Sequence, residues 1–210
     1  MFVCLLHYLC IMNNELENAV WSENIIVADG DYIDKVAFNL IVNFERMIGR
    51  RIHNADIARW IDCIALDGGV REGDNNTHVI IIYGKESKRL EYFTPGNYMQ
   101  ELNGKAFKDN LGEFTITALP VEDITTADDM FLDILQNVCS RDEVKRIMAV
   151  PGEGDIHSRI RSCMRNMRDD TKRVTVFAMQ PMPGGNFNQE ILGYSLMSAL
   201  GISSDEIKEK

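Results

Sequence analysis

The sequence predicts an α/β fold built on a mostly parallel sheet with helices on both faces. Three observations predict it. Short apolar, β-branched runs such as Ile25-Ile26-Val27-Ala28 recur along the chain, and such runs bounded by turn residues mark buried strands. Segments with apolar residues at i, i+3, i+4 and i+7 alternate with them, as in amphipathic helices. Strands and helices alternating at this spacing make parallel sheets, because each parallel crossover carries a covering helix.

Taken in order, the first strand is Ile25–Ala28, running into Asp29-Gly30-Asp31. A helix opens at Asp34, with Val36, Ala37, Leu40, Ile41, Phe44 and Ile48 on one face and Gly49 as its stop. A second helix runs from about Asn54 to Asp67, buried through Ile57, Trp60, Ile61 and Ile64. Thr77–Tyr83 is a strand by its β-branched run. Leu90–Phe93 reads as a short strand, Tyr98–Phe107 as a weak helix interrupted by Gly104, and Glu113–Leu119 as a strand closed by Pro120. Asp128–Val138 is a helix for which Thr125-Thr126 offers the N-cap, with Asp128 and Asp129 complementing the helix dipole. Val144–Val150 is a strand, Ile156–Met167 a helix, Val174–Met179 a strand and Phe187–Leu200 a final helix. That last helix packs on the sheet or forms a homodimer contact. Residues 1–23 read as an N-terminal extension and 24–210 as a single α/β domain.

Composition narrows the function classes. The chain has 210 residues and a formal net charge of −10. That charge argues against a dedicated nucleic-acid coat, because phosphate binding draws on Lys and Arg. The five cysteines are scattered with no CxxC pair, so neither a zinc framework nor a disulfide scaffold is indicated, and reduced thiols in the cytoplasm are expected. The start, MFVCLLHYLCIM, lacks the basic region of a signal peptide and is too short to span a bilayer, so no membrane is expected. Met12, before the polar Asn13-Asn14-Glu15, is the more natural start, which makes residues 1–11 a wrongly extended one. No P-loop, full GxGxxG or GxSxG pattern occurs.

Three acidic places remain: Asp29-Gly30-Asp31, Asp128-Asp129, and Glu153-Gly154-Asp155. The first and third follow buried strands, so a parallel sheet sets them at one edge, where α/β proteins hold ligands. The second opens the helix that precedes the strand of the third. Carboxylates gathered this way repel one another, and a divalent ion relieves the repulsion. Asp29, Asp31, Asp128, Asp129 and Asp155 are therefore candidate ligands of Mg²⁺ or Mn²⁺. Taken singly, such residues more often serve as caps or solvated charges.

The stretches VADGDYI (Val27–Ile33), TTADDMFLDIL (Thr125–Leu135) and MAVPGEGDI (Met148–Ile156) resemble the motifs of the NYN branch of the PIN-like ribonucleases, in the same order over residues 24–180. The departures are Tyr32 in place of an Asn, Pro151 of a Ser, Glu153 of an Asp and Ile156 of a Phe. The resemblance implies a three-layer α/β/α, PIN/Rossmann-like fold. It also implies metal-dependent hydrolysis of RNA phosphodiesters, with Asp29, Asp129, Glu153 and Asp155 as catalytic residues.

Basic residues cluster between Arg141 and Arg173, where nine of the 22 Lys and Arg lie. Arg161, Arg165 and Arg168 share a helix face by their i, i+4 and i+7 spacing and could guide RNA past Asp155. A solvated face paired with acids is the commoner meaning of such a run. Two other readings compete with the nuclease. One is a catalytically inactive scaffold or interaction module of the same fold. The other is a haloacid-dehalogenase-like phosphatase using Asp29 and Asp31, for which Ile33 stands where Thr or Val is wanted.

Overall fold

The computed structural model describes residues 21–165 and 171–208. Residues 1–20, Met167 and Arg168, on which some expectations fell, lie outside the described residues. The elements are β1 (Asn24–Asp29), α1 (Gly30–Ile48), β2 (Ala55–Asp56), α2 (Ile57–Asp67), β3 (Asn75–Tyr83), β4 (Phe93–Thr94), a single π turn at Tyr98–Leu102, β5 (Lys105–Asp109) and β6 (Gly112–Pro120). There follow α3 (Ala127–Cys139), β7 (Arg146–Val150), α4 (Ile156–Arg165), β8 (Arg173–Ala178), β9 (Asn188–Ile191), α5 (Leu192–Ala199) and α6 (Ser204–Lys208). No helix among the described residues is long and apolar enough to cross a membrane.

Seven strands form the main sheet in the order β5-β6-β3-β1-β7-β8-β9. All neighbours are parallel except β5 and β6. The predicted mostly parallel α/β architecture is therefore present. β1 lies in the middle and is buried on both faces, with Ile25, Ile26, Val27 and Ala28 fully inaccessible. Its side chains alternate between two cores, as the two-residue strand period requires. Ile26 and Ala28 pack with Val36 of α1, Trp60 of α2 and Leu196 of α5. Ile25 and Val27 pack with Phe131 and Leu135 of α3 and Ile160 of α4.

Three elements differ from expectation. α1 begins at Gly30 rather than Asp34, because the Asp29 carboxylate accepts the Tyr32 amide at 3.0 Å and caps the helix. The acidic turn is thus a helix start. Tyr98–Phe107 is not one helix. The chain makes a π turn and then enters β5, which pairs antiparallel with β6 and sets Phe107 opposite Phe114, their rings stacked at 4.8 Å. The helix expected from Phe187 begins at Leu192, because Asn188–Ile191 adds to the sheet edge beside β8. Smaller shifts elsewhere include Leu90–Phe93, where the strand is β4, paired with β2 in a separate two-stranded sheet.

One packing contact carries a pH prediction. Asp62 of α2 hydrogen-bonds the carboxyl of Asp109 at the end of β5, and one carboxyl oxygen of Asp62 is buried without a partner. Burial first, then Asp109 and Asp56, raises the Asp62 carboxyl to about 7. The folded state therefore holds a proton that the unfolded chain releases near the ordinary carboxylate pKa. The sign is fixed by linkage: the stability that this carboxyl contributes is fully present below about pH 4 and is lost as pH rises to about 7. Asp62→Asn should flatten that slope and raise stability at pH 8 by about 1 kcal/mol, after discounting for partial exposure. Urea unfolding at pH 5 and pH 8 measures both, and an unchanged slope would remove Asp62 as its source.

Candidate functional site

The sheet topology marks one place for a site. From β1 the chain moves outward to β3 and β6, then returns to the other flank of β1 as β7. The carboxyl ends of β1 and β7 thus form a topological switch point, where adjacent connections leave in opposite directions and open a crevice. Asp29 ends β1, and the turn beginning at Pro151-Gly152 follows β7.

Asp29 and Asp128 meet at this point. A Cβ placed on Gly152 would stand 2.9 Å from Asp29 Oδ2 and 3.8 Å from Asp128 Oδ1. The missing side chain of Gly152 is what leaves room between the two carboxylates. Burial raises the Asp29 carboxyl to about 6 against the opposing Tyr32 amide, and the negative charges of Asp31 and Asp128 add to the rise. Asp128 reaches this position from the first turn of α3, which Thr126 caps by accepting the Asp129 amide.

The other predicted acids are engaged elsewhere. Asp129 receives Arg159 Nη2 at 2.6 Å on one oxygen and the Thr126 hydroxyl at 2.7 Å on the other. Arg159 foremost holds its carboxyl below the usual range. Asp31 accepts the Gly84 amide and the Ser87 hydroxyl, both at 2.7 Å, tying α1 to the loop after β3. Glu153 pairs with Lys35 at 2.9 Å on the exposed rim. Asp155 starts α4, its carboxylate accepting the Ser158 hydroxyl at 2.6 Å and its carbonyl the Ser158 and Arg159 amides. Among the described residues, no three His, Cys, Asp or Glu side chains group as a metal-ligand set. The convergent feature is a pair.

Beside the pair lies a cleft of about 510 Å³. It is bounded by Tyr32, by Glu153–Asp155, His157 and Ser158 at the start of α4, by Arg161, and by the Ala178–Pro183 segment at and after the end of β8. Burial, then Glu153 and Asp29, push the Tyr32 phenol up to about 12, so it is a protonated hydrogen-bonding group at neutral pH. His157 is held below its usual pKa by burial and by Arg161, with Asp128 opposing. Of the predicted basic face, Arg161 lines this cleft and Arg165 is exposed at the end of α4.

A family model described as "Family of unknown function (DUF6621)" matches residues 18–207. The chain belongs to this family. No curated protein and no solved structure matches it. In this DUF6621 chain the switch-point pair and the cleft together carry the chemistry available. Sequence reasoning passed over Tyr32 as a cleft wall, His157 and the Met179–Pro183 segment. The i, i+4 relation of His157 to Arg161 was the one signal that could have drawn His157 in. Nothing in the chain's periodicity marks the segment after β8.

Proposed function

We propose that this DUF6621 chain is a divergent PIN/NYN-like phosphodiesterase of RNA that works with Mg²⁺ or Mn²⁺ held by Asp29 and Asp128. The two helix groups are read as the outer layers of a three-layer α/β/α, PIN/Rossmann-like sandwich. The observation that carries the reading is the facing of Asp29 and Asp128 across Gly152 at the switch point. Mg²⁺ characteristically takes one or two protein carboxylates and completes its shell with water and phosphate oxygens, and a pair of this kind fits that demand. When bound, such an ion supplies a Lewis acid for the phosphoryl oxygens.

The chain's own groups have separable parts. Asp29, fixed by its bond to the Tyr32 amide, offers its second oxygen toward Gly152. Asp128 supplies the opposing charge from a helix whose cap fixes its register. Asp155 and Glu153 stand on the rim as acceptors, and Arg161 offers a cation to a phosphate beside the pair. Cytoplasmic RNA as substrate is consistent with the free thiols of Cys63, Cys139 and Cys163.

The test is Mn²⁺-dependent cleavage of single-stranded RNA by the purified chain, together with calorimetric titration of Mn²⁺. Gly152→Ala should weaken Mn²⁺ binding by about tenfold or more, since its methyl enters the space between the carboxylates. Stability should fall by no more than about 1–2 kcal/mol, because the atom met at 2.9 Å is the Asp29 oxygen that does not hold the Tyr32 amide. Equal Mn²⁺ affinity in this variant would place the ion elsewhere.

One observation favours the scaffold reading. Asp129, Glu153 and Asp31 are each held by internal partners, so among the described residues no third carboxylate joins the pair as a ligand set. Absence of both Mn²⁺ binding and cleavage would decide for a non-catalytic module.

A further inference from the structure

Two residues that line the cleft beside Asp29 each carry a buried polar atom without a partner among the described residues. His157 Nδ1 and Arg161 Nε are buried and have no hydrogen-bond partner. The two residues sit one helical turn apart on α4, so their side chains rise from the same face. Arg161 also lacks an acid among the described residues: nearby, Lys35 pairs with Glu153 and Arg159 with Asp129. A buried donor without an acceptor costs about 1–3 kcal/mol. A ligand oxygen bearing negative charge in the cleft gains a charge-assisted bond to the Arg161 guanidinium, which lines it.

The rest of the cleft describes the body attached to that oxygen. Glu153 and Asp155 are acceptors at the rim. They suit sugar hydroxyls, which donate to carboxylates in nucleotide sites, and they repel a second phosphate. Tyr32, Met179 and Met182 supply an aromatic and thioether wall, to which a flat base is matched because sulfur and aromatic surfaces are polarizable. The cleft's size falls in the range of about 300–1,000 Å³ typical of small-molecule sites.

We propose that this cleft binds one nucleoside monophosphate unit, free or as the end of an RNA strand, with its phosphoryl oxygens on Arg161 and His157. Binding requires neither Asp29 nor Asp128 and no divalent ion. The inference therefore goes beyond the cleavage reading and is tested apart from it.

The experiment is calorimetric titration of the full chain in EDTA. The probes are AMP, GMP, CMP and UMP, then adenosine, inorganic phosphate, ATP, and a short single-stranded RNA with or without a terminal phosphate. At least one monophosphate should bind with a Kd below about 1 mM, and the nucleoside, phosphate and ATP about tenfold or more weakly. Arg161→Ala should lose about tenfold or more, and Arg161→Lys should lose less because it keeps the charge. Thermal melts establish that the variants fold, and Arg161→Gln replaces the alanine variant if that one does not. Tighter binding of the phosphorylated RNA than of the monophosphate assigns the site to a strand end, and the reverse assigns it to a free nucleotide. Absence of monophosphate binding at about 10 mM, phosphate binding as tight as the nucleotide, or full affinity in a folded Arg161→Ala chain would overturn the proposal.

Discussion

Asp29→Asn is expected to lower Mn²⁺-dependent cleavage of single-stranded RNA by about 100-fold or more, the scale seen when a group that stabilises developing charge is lost. The substitution is chosen because it separates charge from structure. The Asn side chain keeps the oxygen that accepts the Tyr32 amide at 3.0 Å, and Asn caps helices about as well as Asp. It removes only the negative charge facing Asp128. Stability at pH 8 should therefore be unchanged or higher, because a half-buried charge beside Asp31 and Asp128 is gone. A thermal melt run with the cleavage assay distinguishes a chemical loss from unfolding. If the variant cleaves as the parent does, the switch-point pair is not the centre.

Gly30→Val should destabilise the fold by about 3 kcal/mol or more, at the upper end for overpacked sites. A Cβ at Gly30 would lie 2.6 Å from the Tyr98 hydroxyl, 2.9 Å from Ile81 Cγ2 and 3.1 Å from the Ile82 carbonyl oxygen. None of these can withdraw cheaply. Ile82 presents main chain of a central strand, and the Tyr98 ring is 1% exposed and stacked on Tyr83 at 3.9 Å. The added branches of Val worsen each contact, so Gly30→Ala should cost less, about 1–2 kcal/mol. Urea unfolding of the two variants gives the comparison. A loss below about 1 kcal/mol for Val would mean that α1 does not enter the sheet this close to Tyr98. The glycine of the Asp-Gly pair is thus a packing requirement of the site's scaffold: it lets the helix that Asp29 caps start against β3.

Much of the fold was legible because its central strands declare themselves. β1, β3, β7 and β8 carry buried β-branched runs, and α1, α2 and α3 carry helical spacing. Those patterns follow from burial on both faces or on one stripe. β5 (KAFKD) and β9 (NQEI) escaped because they are edge strands with exposed polar residues. Their state is set by the neighbour that offers hydrogen bonds, which a local window does not contain. The same holds for β2, two residues long and paired with β4, whereas β4 was expected at Leu90–Phe93 and lies at Phe93–Thr94.

The candidate site divides in the same way. That acids would end β1 and follow β7 was readable from Asp29 and Asp155, since strand ends and turns are local. Which acid faces which was not. Asp128 and Asp129 are adjacent in sequence, yet successive residues on a helix point about 100° apart. Thr126 and Arg159 take Asp129, and Asp128 is left toward Gly152. Arg161 was readable as one of a basic face, but its place in a cleft with His157 and the segment after β8 depends on three separate connections meeting. By itself, the sequence determined the parallel α/β core and the presence of acids at the carboxyl end of its central strand, because burial and capping are local demands on residue type. Tertiary structure alone decided that Asp29 stands with Asp128 across an empty Cβ position. That pairing depends on helix register and chain reversal, which bring together residues about a hundred positions apart.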